Sequence, residues 1–447
     1  MTAHSALGVA LGFFAASAVS AEARAALPES YGLGSRAASM AGAVGADAKD
    51  FSAVAYNPAG LVEARGLSIS VGYTANFHAL RSSGGDADVD DVRGMVAGVV
   101  APGKVMGVPF AFGVAVHLPD SGLSFLKARK QDAPRFELYD TRQQLLFLAA
   151  TLALRPLPWL EVGGGMGYLS ATRGRFSIRG SANLASPFDS ALEHEVDADL
   201  TSVRYPILGV RAWRKRWGAV GVAYRGSSQL ELELDARLAG TVALGALAIP
   251  LVYELEARTF SAFTPAQLTS SFSFQRIANL NVNLDLSWVQ WSAYESPAAR
   301  INAKLAVEVP PGAPVSLPAS ALPATPTAPH FRDRIVPRVG VEWRLPVGAR
   351  IEVPLRCGYA YEASPVPDQR GATTFLDADR HSFALGAGLA LSELGAVLPG
   401  TLRFDVHAAL GVLPTRRILK QNPADFVGDA SAGGHIVGLG ANAELAF

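Results

Sequence analysis

From Gly66 onward, apolar and polar residues alternate with a period of two. Leu280, Val282, Leu284, Leu286 and Trp288 alternate with Asn281, Asn283, Asp285 and Ser287. Leu402, Phe404, Val406, Ala408 and Leu410 alternate with Arg403, Asp405, His407 and Ala409, and Val437 to Phe447 keeps the rhythm. Leu230, Leu232 and Leu234 alternate with Glu231 and Glu233, a parity that runs back through Tyr224, Val222 and Val220. Such runs predict long strands with one apolar and one polar face. Strands of a soluble sandwich run about 5–6 residues. These match or exceed the roughly 9–11 residues of a strand that crosses a membrane.

The connections sharpen the choice. Tight ones at Ala101–Met106, Arg155–Trp159, Trp213–Trp217, Gln275–Asn279 and Pro346–Ala349 alternate with longer polar or Pro-rich stretches. The long ones fall near 79–92, 119–143, 180–197, 237–250, 294–334, 363–380 and 414–433. Short turns on one rim and long loops on the other, with about fourteen strands between, predict an all-β transmembrane antiparallel barrel over residues 64–447. Tyr73, Phe77, Trp159, Trp213, Trp217, Trp288, Trp291 and Trp343 fall near strand ends, where an interfacial girdle is expected. The Pro- and Ala-dense stretch from Pro297 to His330 reads as a long excursion, since similar strands resume after it.

Ahead of the strands, Tyr31 to Leu61 is rich in small residues and follows neither period. It predicts a compact N-terminal plug, a small helical hatch over residues 26–63. Ala38, Met40, Ala41, Val44 and Ala48 are expected on one face of a short helix. The glycines at 32, 34, 42 and 45 are expected where backbone packs closely or turns with positive φ. Asn57-Pro58-Ala59-Gly60 then closes the segment in a turn. Residues 1–25 read as a secretory signal peptide. The apolar run Ala6–Val19 is too short to span a membrane, and small residues at 19–21 or 23–25 suit cleavage.

Composition narrows the function. The 447 residues carry zero formal net charge, so nothing points to nucleic acid. Charged residues make up 17%, against about 25% in ordinary soluble chains. The single cysteine, Cys357, excludes an intrachain disulfide and a thiolate metal site, and reads as a small strand filler. The eight histidines lack metal-ligand spacing, and Gly163-Gly164-Gly165 sits inside a strand rather than before a helix. Asp405 and His407 read as lumen-lining residues rather than a catalytic pair. No metal, cofactor or catalytic residue is expected.

GLGSRAASMAGAVGADAKDFSAVAYNPAGL resembles the hatch segment of the outer-membrane long-chain fatty acid transporter family, which also includes toluene and xylene uptake porins. FTPAQLTSSFSF followed by NLDLSWVQWSAY is similar to that family's mid-barrel region. RCGYAYEASPVPD followed by DADRHSFALGAGL resembles its late-barrel signature, and the terminal Phe447 its assembly signal. The resemblance implies a fourteen-stranded barrel plugged by its hatch in the outer membrane of a Gram-negative bacterium. It implies passive uptake of fatty acids or aromatic and alkane hydrocarbons, with lateral exit into the membrane. Gly34, Ser35, Arg36, Asn57, Pro58, Ala59 and Gly60 are then the hatch and gating residues.

Apolar residues of the third and fourth long loops, Leu184, Phe188, Leu192, Leu244, Leu247 and Ile249, are expected to meet the ligand or to pack as a lid. Arg175 and Arg332 approximately match basic positions of the family and suit a carboxylate. The competing assignment is a salt-bridge network with Asp333, Glu231 or Glu233. Pro109 and Gly113 are expected to kink a strand and open the wall. Expected partners are hydrophobic small molecules, outer-membrane lipid and lipopolysaccharide, and the barrel assembly machinery, with the chain a monomer. Two other readings remain at this point: a structural or adhesin-like barrel without transport, and a barrel lipid hydrolase.

Overall fold

The computed structural model describes residues 30–120, 134–140, 146–183, 191–214, 218–244, 247–295, 300–307, 328–368, 375–392, 400–420 and 428–447. The signal segment 1–25, Leu184 and Phe188 lie outside the described residues. Among those described, fourteen strands close into a ring. They are β1 (Ser68–Ser82), β2 (Val92–Val105), β3 (Val108–Pro119), β4 (Phe147–Leu157), β5 (Leu160–Asn183), β6 (Ala191–Arg214) and β7 (Gly218–Arg225), continued by β8 (Gln267–Ile277), β9 (Leu280–Val289), β10 (Arg334–Pro346), β11 (Ile351–Glu362), β12 (Arg380–Ser392), β13 (Thr401–Ile418) and β14 (Ala430–Ala446). Each pairs antiparallel with the next, and β14 returns to β1 from Ser68↔Ala446 to Ser82↔Ala432. Closure removes the unpaired edges that lipid would not solvate.

The alternation sorts as the pattern predicts. Leu284, Leu286, Val406, Phe404 and Leu439 are exposed on the outside, while Asn281, Asn283, Asp285 and Ser287 are buried within. Of the expected girdle, Tyr73, Phe77, Trp159, Trp288 and Trp343 are exposed. Trp291 is not part of it. It is 2% exposed, because it follows β9 into a 3₁₀ turn, Trp291–Ala293, and packs among loop aromatics. Cys357 is exposed on the outer wall.

The third and fourth long connections differ from expectation. They are not loops but ribbons. β5 and β6 run 24 residues each, and their outer halves join two further strands, Ser228–Leu244 and Leu247–Thr264, and a third, Arg300–Val307. Residues 175–183 of β5 pair in parallel with 233–241, and 251–258 pair with 300–307. The result is a five-stranded crown rising from one arc of the mouth. Leu192, Leu244, Leu247 and Ile249 lie on its strands. Alternating leucines and charges extend a strand as readily above a membrane as within it, so the period carries no mark of where the barrel ends.

Candidate functional site

The hatch fills the barrel. The expected helix over Ala38–Ala48 is cut to Ser35–Ser39, since Ala41 and Gly42 take φ of 52° and 76° and turn the chain. A second turn of helix covers Ala53–Tyr56 and a 3₁₀ helix Pro58–Glu63. Asn57 is extended, as a residue before proline is driven to be, and its Oδ1 accepts from Ala59 N–H to cap the 3₁₀ helix. Its Nδ2 donates to Val210 O on β6 at 3.3 Å. Ala59 is fully buried, and Gly60 passes so close to Ala48 O that no Cβ fits. Gly34 has φ 81°, with Phe51 covering it. Ser35 donates from N and Oγ to Asn442 Oδ1 on β14 at 2.8 and 2.9 Å.

Charge fixes the hatch on one side. The Arg36 guanidinium pairs with Asp47 and, at 3.0 Å, with Glu342 on β10, which Arg356 of β11 also holds at 2.7 Å. Burial opposes the charge on Arg36, but Glu342, Asp47 and Asp50 around it hold it protonated more firmly than usual. Asn281 of β9 donates to Asp47 at 2.6 Å, and Asp285 accepts from the Val44 and Gly45 amides at 3.1 and 2.9 Å. Toward β2, β3 and β4 the contacts turn apolar, with Val54, Leu61 and Phe51 against Val96, Val100, Ala111, Ala115 and Ala153. Near β4–β6, Glu63 pairs with Arg155, and Arg211 donates to Ala46 O at 2.7 Å.

Eight strands meet the hatch through an inward glycine: Gly98, Gly113, Gly163, Gly209, Gly221, Gly340, Gly358 and Gly386. A Cβ at Gly113 would stand 2.8 Å from both Val54 Cγ2 and Leu61 Cδ1, and one at Gly358 would enter the Met40–Ala41 backbone. Gly358→Val is expected to cost at least the roughly 1–3 kcal/mol of overpacking, because backbone cannot rotate aside. Urea unfolding in bilayers measures it, with Gly348→Val on an open turn, itself strained at φ 80°, as the comparison for backbone strain alone. Pro109 and Gly113 lie in β3, whose pairing with both neighbours runs without a register shift.

Above the hatch lies a cavity of about 100 Å³, partly open to solvent. Tyr31, Tyr56, Asn76, Gln267, Asp285, Arg225, Arg338, Glu362 and Arg380 line it. A smaller neighbour shares Arg338, Glu362 and Arg380 and reaches Tyr139, Trp291 and Arg334. Glu362 is occupied by Arg380 and by Arg334 at 2.8 Å. Arg338 donates to Ser287 Oγ at 2.7 Å and, among the described residues, has no carboxylate within ion-pair distance. The chamber wall therefore holds a guanidinium with no direct ion pair among the described residues, although Asp285, opposite it in register, and Glu362 share the cavity with it. Over it, Phe136, Tyr139, Phe263, Trp291, Tyr294, Phe331 and Phe375 form an aromatic lid. Tyr294 and Phe331 stack with centroids 4.7 Å apart, and Tyr294 Oη donates to Glu137 at 2.7 Å beside buried Arg135. Below this lid, Asp377 is buried against Ser364, which donates at 2.6 Å, and burial pushes its carboxyl up to about 6.

Sequence residues 12–442 match the family described as "Outer membrane protein transport protein (OMPP1/FadL/TodX)". The chain belongs to that family. It is an outer-membrane barrel of a family of hydrophobic-compound channels. Its fold is similar to the crystal structure of a Pseudomonas aeruginosa FadL homologue, at 14% identity over 92% of this chain and 97% of that one, TM-score 0.53. It is similar to the P. putida toluene transporter TodX, at 14% identity over 93% and 99%, TM-score 0.52. The CymD monoaromatic hydrocarbon channel aligns at 17% identity over 93% and 97%, TM-score 0.52. No curated protein matches the sequence.

Of the residues expected at the site, the gating set comes together in the hatch. Arg332 is exposed at the mouth, its amide donating to Pro365 O at 2.9 Å, and Asp333 accepts from Ser292 N–H. Arg175 stands in the crown, in register with Glu233 and Asp197. The chamber arginines and the lid aromatics were not singled out from sequence. The lid had one usable signal, the aromatics of WSAY and HFR in otherwise polar long connections.

Proposed function

We propose that this FadL/TodX-family barrel takes up amphipathic hydrocarbons bearing a carboxylate, with the head group held by Arg338. The observation that carries this reading is a guanidinium in the chamber wall that makes no direct ion pair among the described residues and bonds instead to the Ser287 hydroxyl. An apolar chain gains about 25 cal/mol per Å² on leaving water, which a capped chamber supplies and an aqueous pore does not. Arg reads a carboxylate through two parallel donors, and Ser287 aims the guanidinium. The solute enters past the aromatic lid, rests above the hatch, and leaves sideways through the wall beside Pro109 and Gly113 on β3. That is the side where the hatch is greased rather than bolted, and no energy source is required. Arg332 at the mouth and Arg175 in the crown act as outer contacts for the same head group.

Removing a charge-assisted hydrogen bond costs about 1.5–3 kcal/mol. Arg338→Gln is therefore expected to weaken binding of a long-chain carboxylate by roughly ten- to hundredfold. It should leave binding of toluene unchanged. Tryptophan-fluorescence titration of the protein in bilayers measures both. Equal loss for the two ligands, or none for either, overturns the assignment and favours the neutral aromatics named for TodX and CymD.

A further inference from the structure

The lid over the chamber is built from pieces of unlike attachment. Trp291–Ala293 follows β9 after a single residue, Phe331 stands just ahead of β10, and Phe375 and Leu376 lead into β12. Residues 134–140 differ: they lie inside the connection between β3 and β4, well away from both strands in sequence, and make one helical turn, Glu137–Asp140. This flap wedges into the mouth. Phe136, Leu138 and Tyr139 are buried, and the last two wall the smaller cavity together with Trp291, Arg338, Glu362 and Arg380.

A short seam holds the flap to its neighbours. Arg135 bridges Phe375 in the parallel sense, and Leu376 N–H donates to Arg135 O at 2.7 Å. The Arg135 guanidinium lies over the Phe375 ring, 5.4 Å from its centroid, and Tyr294 Oη donates to Glu137 Oε1 at 2.7 Å. On the inner side the Tyr139 ring lies 6.3 Å from that of His78 on β1, with the Arg380 guanidinium over it at 5.8 Å.

The charges show how this seam can part. Arg135 and Glu137 are 3% and 2% exposed and pair at 2.7 Å, both on the flap. Breaking a buried pair strands a buried charge, whereas a pair carried out whole regains water on both members. The seam bonds described here use uncharged partners on the frame: the Tyr294 hydroxyl, the Leu376 amide and the Phe375 ring. The hatch seat is the opposite case, since Arg36 and Glu342 stand on hatch and wall and parting them separates charge. We propose that residues 134–140 are the moving flap of the mouth, which lifts from Tyr294, Phe375 and Leu376 to admit the solute, while the aromatics beside β9, β10 and β12 stay as its frame. This rests on the reading that solutes reach the chamber from the mouth, and adds which segment yields. Withdrawing Leu138 and Tyr139 opens the smaller cavity onto Arg338, Glu362 and Arg380. A gate that closes again behind the solute changes the rates of entry and exit together and leaves affinity alone.

The full chain in lipid nanodiscs tests this by stopped-flow tryptophan fluorescence with two probes, oleate and toluene. Arg135→Cys/Phe375→Cys in a Cys357→Ala background puts thiols at bridge positions, near enough to join. Oxidation is expected to slow association of both probes at least tenfold, and reduction to restore it. Tyr294→Phe, which loses the hydroxyl bonded to Glu137, is expected to raise association and dissociation rates together severalfold with affinity unchanged. Mass spectrometry reports the disulfide, and heat-modifiable migration on gels reports the folded barrel. Toluene keeps this test apart from the carboxylate assignment: if Arg338→Gln shows that assignment wrong, the neutral probe still reports the gate. Three results overturn the proposal. One is a disulfide that forms and leaves both association rates unchanged. Another is thiols that do not join in a folded barrel, since the flap then does not rest on Phe375. The third is a Tyr294→Phe variant altered in affinity and not in rate balance, which makes Tyr294 a contact of the solute instead.

Discussion

Arg36→Met is expected to unseat the hatch and turn a closed barrel into a leaking one. Arg36 and Arg356 stand among Asp47, Glu342 and Asp405, with Asp50 at 4.0 Å from Arg36. Removing Arg36 leaves Asp47 with amide donors only and Glu342 with Arg356 as its close cation, all inside the lumen. Deleting one member of a buried pair costs about 3–5 kcal/mol, because the charge left behind stays buried. The seat on β9–β11 should therefore weaken while the barrel wall stays intact. Single-channel recording in planar bilayers should show ion conductance in the variant and little in wild type. Arg36→Met/Asp47→Asn, which removes the stranded acid as well, should recover part of the seal. A single variant as tight as the parent would show that the glycine seats alone retain the hatch.

The second large effect is expected on the outside of the wall. Leu284, Val406 and Phe404 all face outward and are exposed. An arginine on the lipid face costs about 2–4 kcal/mol near the midplane and falls to about 0–1 near the interface. Leu284 lies midway along β9, whereas Phe404 is three residues from the start of β13 at the short-turn rim. Leu284→Arg should therefore destabilise most, Val406→Arg nearly as much, and Phe404→Arg least. Urea unfolding of the variants in lipid vesicles gives the order. Equal costs at all three positions would mean that the bilayer does not sit where the exposed apolar belt places it.

The barrel was legible because the bilayer imposes a period of two on every crossing, and because turn length differs between the rims. The hatch was legible in part. Its glycines and the Asn57-Pro58 turn showed in the sequence, but the expected helix through Val44 did not form, since Gly42 and Ala41 turn the chain first. Gly45 has ordinary φ; what it needs is room beside Ser271. The crown was hidden by its likeness to the strands below it. Arg338 was hidden for a different reason: on the polar face of a strand it reads like Arg403, which is exposed and paired with Glu444. What distinguishes it is that, among the described residues, it bonds to Ser287 and not to a carboxylate, although Asp285 stands opposite it on β9; that is a property of strands separated in sequence.

The sequence distances within the hatch seat set a clock for biogenesis. Arg36 meets Glu342 across 306 residues, and Ser35 meets Asn442 across 407. The apolar partners on β2–β4 are synthesised soon after the hatch; the polar ones follow from Arg155 and Arg211 through Asn281 and Asp285, and the last, Glu342 and Asn442, arrive when three-quarters or more of the polypeptide has been made. Contacts of such separation form late, since loop-closure entropy opposes them until the intervening chain is ordered. The plug is thus greased into place by its early neighbours and locked by its last ones. The sealing of the pore and the completion of the ring become one event, so an unfinished barrel is never a bolted one.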